Sequence, residues 1–332
     1  MGRVVGLALA LGLFTVPVAG QDTCPAPVGR LVTVPSGLRV EVVEWSRAGE
    51  PLVFLSGMGG TAHAFDDFAP VFADRYRVVG ITRRGWGRSS PSPGYDYTSG
   101  ALLTDIIAVL DSLAIPAAHV AGWSFGGHEA TLLAVRYPER VLSLTLLDSY
   151  DNSPSAGTFA GSDSLEPPRR PRPPGSVSSL REMLALDRLR GGREPVTELC
   201  ATWRFGKDGR YLGPVASDSV GGYTVLEAER LAYSAVEAPV LAIYSTMRGV
   251  EDMYPDLAGM DSAEKAEASL LAGAVKREMD AARGRLRRAL PSARVIEIPG
   301  ADHAVFRSHP ERVIREMRRW LAEHRAARWE RS

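Results

Sequence analysis

A serine stands between glycines in VAGWSFGGHEA, residues 120–130, where a short apolar run passes straight into a helix-forming one. A serine hydroxyl is a poor nucleophile at neutral pH and needs a base. A bare G-x-S-x-G is weak evidence in a chain with 33 glycines, so its setting has to decide. The setting here is a buried strand opening into a helix, which forces a sharp turn with Ser124 at its tip. Gly122 and Gly126 are expected where side chains would collide in that bend. The amide of Phe125 then sits at a helix amino terminus, where it can stabilise negative charge.

Of the six histidines, His303 has the right place for the base. ARVIEIPGADHAVF puts it on the turn after the last strand, at the carboxyl edge where a doubly wound sheet gathers its ligands. His128 lies four residues into the helix after Ser124, His119 precedes a strand, His309 and His324 belong to the final helix, and His63 is a candidate pocket residue. The third member should be a carboxylate that orients the imidazole and stabilises its protonated form. Asp148, ending LSLTLLD, and Asp252, in the extended loop after PVLAIYS, both keep the chain order serine, acid, histidine. Asp148 is preferred because a strand end is held more rigidly than a loop. The second oxyanion donor is expected in SGMGGTAHAF, at the amide of Met58. A Gly-rich loop can also cradle phosphate, but the G-x-G-x-x-G spacing and a P-loop lysine are both missing.

These residues need a sheet to position them. PLVFLSG (51–57), YRVVGITRRG (76–85), AHVAGW (118–123), LSLTLLDS (142–149), PVLAIYS (239–245) and ARVIEIPG (293–300) are short apolar runs suited to strands buried on both faces. A hairpin around Ser36 and Gly37 precedes them. Helical stretches alternate with the runs: HAFDDFAPVFADRY, SGALLTDIIAVLDSLAI, GHEATLLAVRYPERV and PERVIREMRRWLAEHRAAR. The pattern predicts an α/β fold with a doubly wound, mostly parallel sheet, its core formed by 21–149 and 238–332. The rhythm breaks between them, where 150–237 reads as an inserted helical cap with a Pro-rich linker, EPPRRPRPPGSVSS. Its aromatic residues Trp203, Phe205, Tyr211, Tyr223 and Tyr233 could line a pocket or form the cap's own core.

SGMGG, ITRRGWGRSSP, GWSFGG, RYPERVLSLTLLD, IPGADHAVF and HPERVIREMRRWL together resemble the α/β-hydrolase superfamily, over roughly residues 31–320 apart from the cap. The resemblance implies a serine hydrolase without a cofactor, with Ser124 as nucleophile, His303 as base, and the amides of Met58 and Phe125 as the oxyanion hole. Two departures stand out: Ser56-Gly57 occupies the place where the family often has His-Gly, and the position of the acid is ambiguous. A serine at the elbow speaks against dehalogenase or epoxide hydrolase chemistry, in which a carboxylate forms an alkyl ester.

The remaining composition bounds the partners. Lys plus Arg equals Asp plus Glu at 39 each, with no basic stripe interleaved with aromatics, which argues against nucleic acid. Residues 1–20 carry one positive charge at Arg3, an apolar run to about Val18 and small residues at the end, the layout of a secretory signal cleaved near Gly20. That run is short for a span and contains Pro17, so no stable membrane span is expected after cleavage and the protein is expected to be exported, periplasmic or extracellular. Cys24 and Cys200 could close a long loop in an oxidising compartment or remain two unrelated thiols. No CxxC spacing or Cys/His cluster supports a metal site. The expected activity is carboxylesterase-like cleavage of a small-molecule ester, less readily an amide, through an acyl-serine intermediate. Its alternatives are a C–C bond hydrolase, aminopeptidase or perhydrolase on the same fold, or a low-turnover small-molecule binding module.

Overall fold

The computed structural model describes residues 22–151, 177–189, 192–216, 220–221, 224, 227–254 and 257–325. The expected signal, most of the Pro-rich stretch and Tyr223 lie outside the described residues. Eight strands form one sheet in the order β1-β2-β4-β3-β5-β6-β9-β10. They are β1 (Arg30–Thr33), β2 (Arg39–Glu44), β3 (Glu50–Leu55), β4 (Tyr76–Ile81), β5 (Ala118–Trp123), β6 (Val141–Leu147), β9 (Val240–Thr246) and β10 (Arg294–Pro299). The β1–β2 hairpin is antiparallel to its neighbour β4, and every pair from β4 to β10 is parallel. Each apolar run of the sequence becomes one of these parallel strands, and all six residues of EPLVFL are buried. The strand order reverses beside β3: its chain leaves for β4 on one side, and β5 returns on the other. Such a switch point opens a crevice at the carboxyl edge. The loops after β3 and β5 meet there.

Both faces of the sheet are covered. On one face α1 (Ser99–Ser112), α2 (Phe125–Arg136) and α5 (Ser262–Ala289) bury Leu103, Val109, Leu110, Leu133 and Leu286. On the other, Val313, Met317, Trp320 and Leu321 of α6 (Pro310–Glu323) recur at helical spacing and pack beside Phe54, Phe65, Phe68, Phe72 and Phe306. Ring centroids in this aromatic group lie 4.8–6.1 Å apart. Each such ring removed from water stabilises the fold by about 1.5–3 kcal/mol.

Three elements depart from the expectation. The stretch HAFDDFAPVFADRY is two 3-10 turns, Ala62–Phe65 and Ala69–Phe72, rather than one helix. Pro70 lacks the N–H that would continue an α-helix from residue 66, and the tighter turn lines up Phe65, Phe68 and Phe72 at intervals near three. The 28-residue α5 was not among the expected helices, although Asp261 and Glu264 form a capping box at its start. Within 150–237, the helices α3 (Leu180–Leu189) and α4 (Val196–Thr202) are followed by an antiparallel hairpin, β7 (Trp203–Phe205) with β8 (Tyr211–Pro214), where only helices were expected. Farther along, Thr224 is helical and Tyr233–Ala235 forms a 3-10 turn. Trp203 and Phe205 pack with Leu180, Leu184 and Leu199 in this segment's own core, and Tyr233 joins the main core.

Cys24 and Cys200 form a disulfide across 176 residues of sequence. Closing so long a loop removes denatured-state entropy worth at most about 5 kcal/mol in the chain-entropy view. Thiol titration of the unreduced, denatured protein is therefore expected to find neither cysteine free, and reduction should lower the melting temperature. Two titratable thiols would rule the bridge out.

Candidate active site

Ser124 sits in a conformation that L-residues rarely adopt, with φ 53° and ψ −122°, between β5 and α2. Strain of this kind persists only where the surroundings over-determine it. Here a Cβ on Gly122 would lie 2.3 Å from the Gly126 carbonyl oxygen, and one on Gly126 would lie 2.2 Å from that of Leu55. The elbow therefore admits only glycine at both places, as the sequence implied. Its backbone is held by Ser124 N–H donating to Leu147 O (3.1 Å) and by Ser149 Oγ donating to Ser124 O (2.7 Å). Among the described residues, no group hydrogen-bonds Ser124 Oγ.

Asp148 follows β6 directly, fully buried and with φ 44°. Its Oδ1 accepts from Ser245 N–H (2.9 Å) and Tyr150 Oη (3.1 Å), and its Oδ2 accepts from Ser245 Oγ (2.8 Å). The fourth contact is His303 Nδ1, 2.8 Å from Oδ2. A carboxylate can only accept, so Nδ1 carries the proton and Nε2 is left as the basic nitrogen. Burial, reinforced by the Asp148 charge, keeps the Tyr150 phenol well above its usual range, so it remains a donor to Asp148. Trp123 fixes the other side of the histidine loop: its Nε1–H donates to His303 O (3.0 Å), and the two rings lie 5.5 Å apart. The half-exposed His303 is thus held beside the residue that precedes Ser124.

The alternative acid Asp252 is engaged elsewhere. It lies in the 3-10 turn Val250–Asp252, where it accepts from Arg248 N–H (2.7 Å) and Arg248 Nη2 (2.6 Å). The Arg248 hydrogen bonds hold its carboxyl below the usual carboxylate range. The longer loop closes on itself instead of folding back to His303.

The Gly-rich loop after β3 brings Gly57 against the elbow, where an added Cβ would stand 3.2 Å from Ser124 Cβ. Met58, the expected oxyanion donor, follows it, and its side chain packs against the apolar cluster of Leu102, Phe125 and Ala228. Arg83, on the turn after β4, secures this loop from beneath. Its Nη2 donates to Ser56 O (3.0 Å) and its Nη1 to Gly57 O (3.3 Å), while Nε and Nη2 bind Glu129 of α2 at 2.8 and 2.6 Å. The guanidinium also lies 5.0 Å from the centre of the Phe125 ring. Sequence reasoning assigned no role to Arg83, Glu129, Tyr150 or Ser245. Glu129, a charge within an apolar helix, was the one visible signal.

The other histidines have local partners. His119 bonds Ser143 Oγ inside the sheet (2.7 Å). Burial lowers His128 to about 4, and its ring stacks on Phe125. His63 Nδ1 lies 2.8 Å from Asp66 Oδ2, and its Nε2 lies 3.6 Å from Glu41 Oε1. It is a buried structural ion-pair partner.

A family model described as alpha/beta hydrolase fold matches residues 50–189. A putative carbamate hydrolase RutD of Caulobacter segnis is 33% identical over 116 residues, 34% of this chain and 43% of that protein. A 2-hydroxy-6-oxononadienedioate/2-hydroxy-6-oxononatrienedioate hydrolase of Burkholderia vietnamiensis is 36% identical over 122 residues, 36% of this chain and 42% of that protein. The chain spans less than half the length of these curated relatives. The crystal structure of E-2-(acetamidomethylene)succinate hydrolase superposes with a TM-score of 0.64 at 19% identity, covering 89% of this chain and 99% of that one. The chain has the alpha/beta hydrolase fold, a mostly parallel eight-stranded sheet flanked by helices.

The His63 cluster carries a pH signature. Burial alone would lower this imidazole, but the Asp66 hydrogen bond and the charges of Asp66 and Glu41 outweigh it and raise the pKa from 6.5 to about 10. A group raised in the folded state adds its stability in full below about 6.5 and loses it as pH climbs toward about 10. Urea unfolding across that interval should show His63→Gln losing less stability than the wild type. Equal losses would contradict this role.

Proposed function

We propose that the protein is an exported serine hydrolase that cleaves a small-molecule ester, less readily an amide, through an acyl-serine intermediate. The observation that carries the proposal is the 2.8 Å contact between His303 and the buried Asp148, held by Trp123 beside the Ser124 elbow. In the proposed cycle Ser124 Oγ attacks the carbonyl carbon as His303 Nε2 takes its proton. The carbonyl oxygen becomes an oxyanion facing the amides of Met58 and Phe125. Collapse breaks the ester bond, and the alcohol leaves with the proton returned by His303. Water then repeats the sequence on the acyl group and releases the acid. Asp148 holds one tautomer of His303 and stabilises its charged form, which a buried carboxylate does more strongly than one exposed to water.

The nucleophile, base, acid and oxyanion donors of this cycle are all groups of the chain, so the proposed chemistry calls for no metal or cofactor. Export is supported by the signal-like residues 1–20 and by the Cys24–Cys200 disulfide, which suits an oxidising compartment. The segment 150–237 is proposed as a cap, supported by the packing of α4 against the 3-10 turn that follows the Met58 loop. A second reading, hydrolysis of a C–C bond next to a carbonyl, draws on the 36% identity to the 2-hydroxy-6-oxononadienedioate hydrolase.

A fluorophosphonate probe should label the wild type and spare Ser124→Ala. With p-nitrophenyl butyrate, Asp148→Asn should lower kcat about 10³–10⁴-fold, whereas Asp252→Asn should change it less than about threefold. Folded wild-type protein that neither reacts with the probe nor turns over any short ester would leave a binding module as the better account. Turnover of a vinylogous diketone but of no ester would favour the C–C reading.

A further inference from the structure

α4 carries a buried carboxylate against the far end of the Gly-rich loop. Glu198 is 1% exposed, and its carboxylate accepts two hydrogen bonds from one residue of the Gly-rich loop. Thr61 N–H donates to Oε1 at 2.9 Å, and the Thr61 hydroxyl donates to Oε2. Burying an ionisable side chain is costly unless its partners matter. Burial raises this carboxyl to about 7 against the lowering effect of the two Thr61 hydrogen bonds, with Glu194 raising it further and Arg307 lowering it. A residue this expensive would be a poor choice for filling space, and α4 presents Leu199 to its own apolar core at the next position.

What Glu198 holds is the far end of the loop that carries Met58. Arg83 grips the near end through the carbonyls of Ser56 and Gly57. Between the two clamps, among the described residues, the loop has its own bonds, Gly60 N–H to Gly57 O (3.2 Å) and Ser56 Oγ to Gly60 O (2.8 Å). Gly59, with φ 81°, gives it little intrinsic stiffness. Glu198 also lies against Gly60, where an added Cβ would stand 3.2 Å from Oε1. Thr61 passes the restraint on by accepting from His63 N–H (3.2 Å), which caps the turn Ala62–Phe65. Two residues beyond Glu198, Cys200 ties α4 to Cys24.

We propose that Glu198 is a positioning residue for catalysis, which fixes residues 57–61 through Thr61 so that the Met58 amide meets the developing oxyanion. The inference rests on the oxyanion role proposed for Met58. It makes α4, far along the chain from the loop, part of the transition-state machinery and not only a cover over it. The effect belongs in the chemical step: a displaced donor weakens the tetrahedral state more than the bound ester.

The experiment compares Glu198→Ala, Glu198→Gln and Thr61→Val with the wild type, using p-nitrophenyl butyrate and a phenylboronic acid that forms a tetrahedral adduct on serine. Glu198→Ala should lower kcat about 10–100-fold with KM within about threefold, and weaken the boronate by a similar factor. Glu198→Gln should restore most of both, because its amide oxygen accepts from Thr61 N–H and its NH₂ donates to the Thr61 hydroxyl. Thr61→Val should lower kcat at least about fivefold. Folded Glu198→Ala with kcat and boronate affinity within about twofold of wild type overturns the proposal. If Glu198→Ala fails to fold, an unchanged kcat in Thr61→Val overturns it instead. Hydrogen exchange at residues 57–61 reads the clamp without turnover: faster exchange in Glu198→Ala or Thr61→Val is expected, and unchanged exchange defeats the clamp. Absence of turnover and labelling in the wild type defeats the hydrolase reading and with it the catalytic part of this inference.

Discussion

A carboxylate with no exposure to water is the constraint around which the site is arranged. Asp148 stays buried because its two oxygens accept from the Ser245 amide and hydroxyl, from Tyr150 and from His303. Removing any one donor would leave part of a buried charge without a partner, which costs more than the hydrogen bond itself contributes. The strand ends of β6 and β9 must therefore stay in register, since Asp148 N–H also donates to Ile243 O (2.8 Å). The loop after β10 has to deliver an imidazole to the remaining lone pair. The sheet and the histidine loop are coupled through this one side chain.

A second buried network performs the same service for the Gly-rich loop. Arg83 and Glu129 are almost fully enclosed, and breaking such a pair by removing one partner costs about 3–5 kcal/mol. The pair earns no obvious stability over an apolar replacement, but it orients two carbonyls of a loop that has few other restraints. The glycines let the backbone approach the elbow, and the arginine supplies the rigidity that they lack. Ser56 Oγ adds one restraint of its own, closing the loop on Gly60 O.

The described part of 150–237 contributes more than a surface layer. α3, α4 and the β7–β8 hairpin have their own apolar cluster, which includes both half-buried cysteines of the disulfide. That small core gives α4 a rigid base from which Glu198 reaches the main domain.

How much could be read in advance depended on how local each cause was. Alternating buried runs and helical stretches, the glycine-flanked elbow and the histidine after the last strand are short-range patterns, and the architecture and the positions of Ser124 and His303 followed from them. The 63–76 stretch misled because its aromatic spacing suits a helix until Pro70 is considered, and α5 escaped notice because its mostly polar surface shows no strong apolar stripe. Other relations were out of reach: Asp148 and His303 are 155 residues apart, Thr61 and Glu198 are 137 apart, and Arg83 and Glu129 are 46 apart. The sequence by itself determined which groups were available and which turns they occupied. Only the tertiary structure decided which carboxylate met the imidazole, because Asp148 and Asp252 are chemically alike and differ in what the packed sheet leaves beside them: His303 for one, Arg248 for the other.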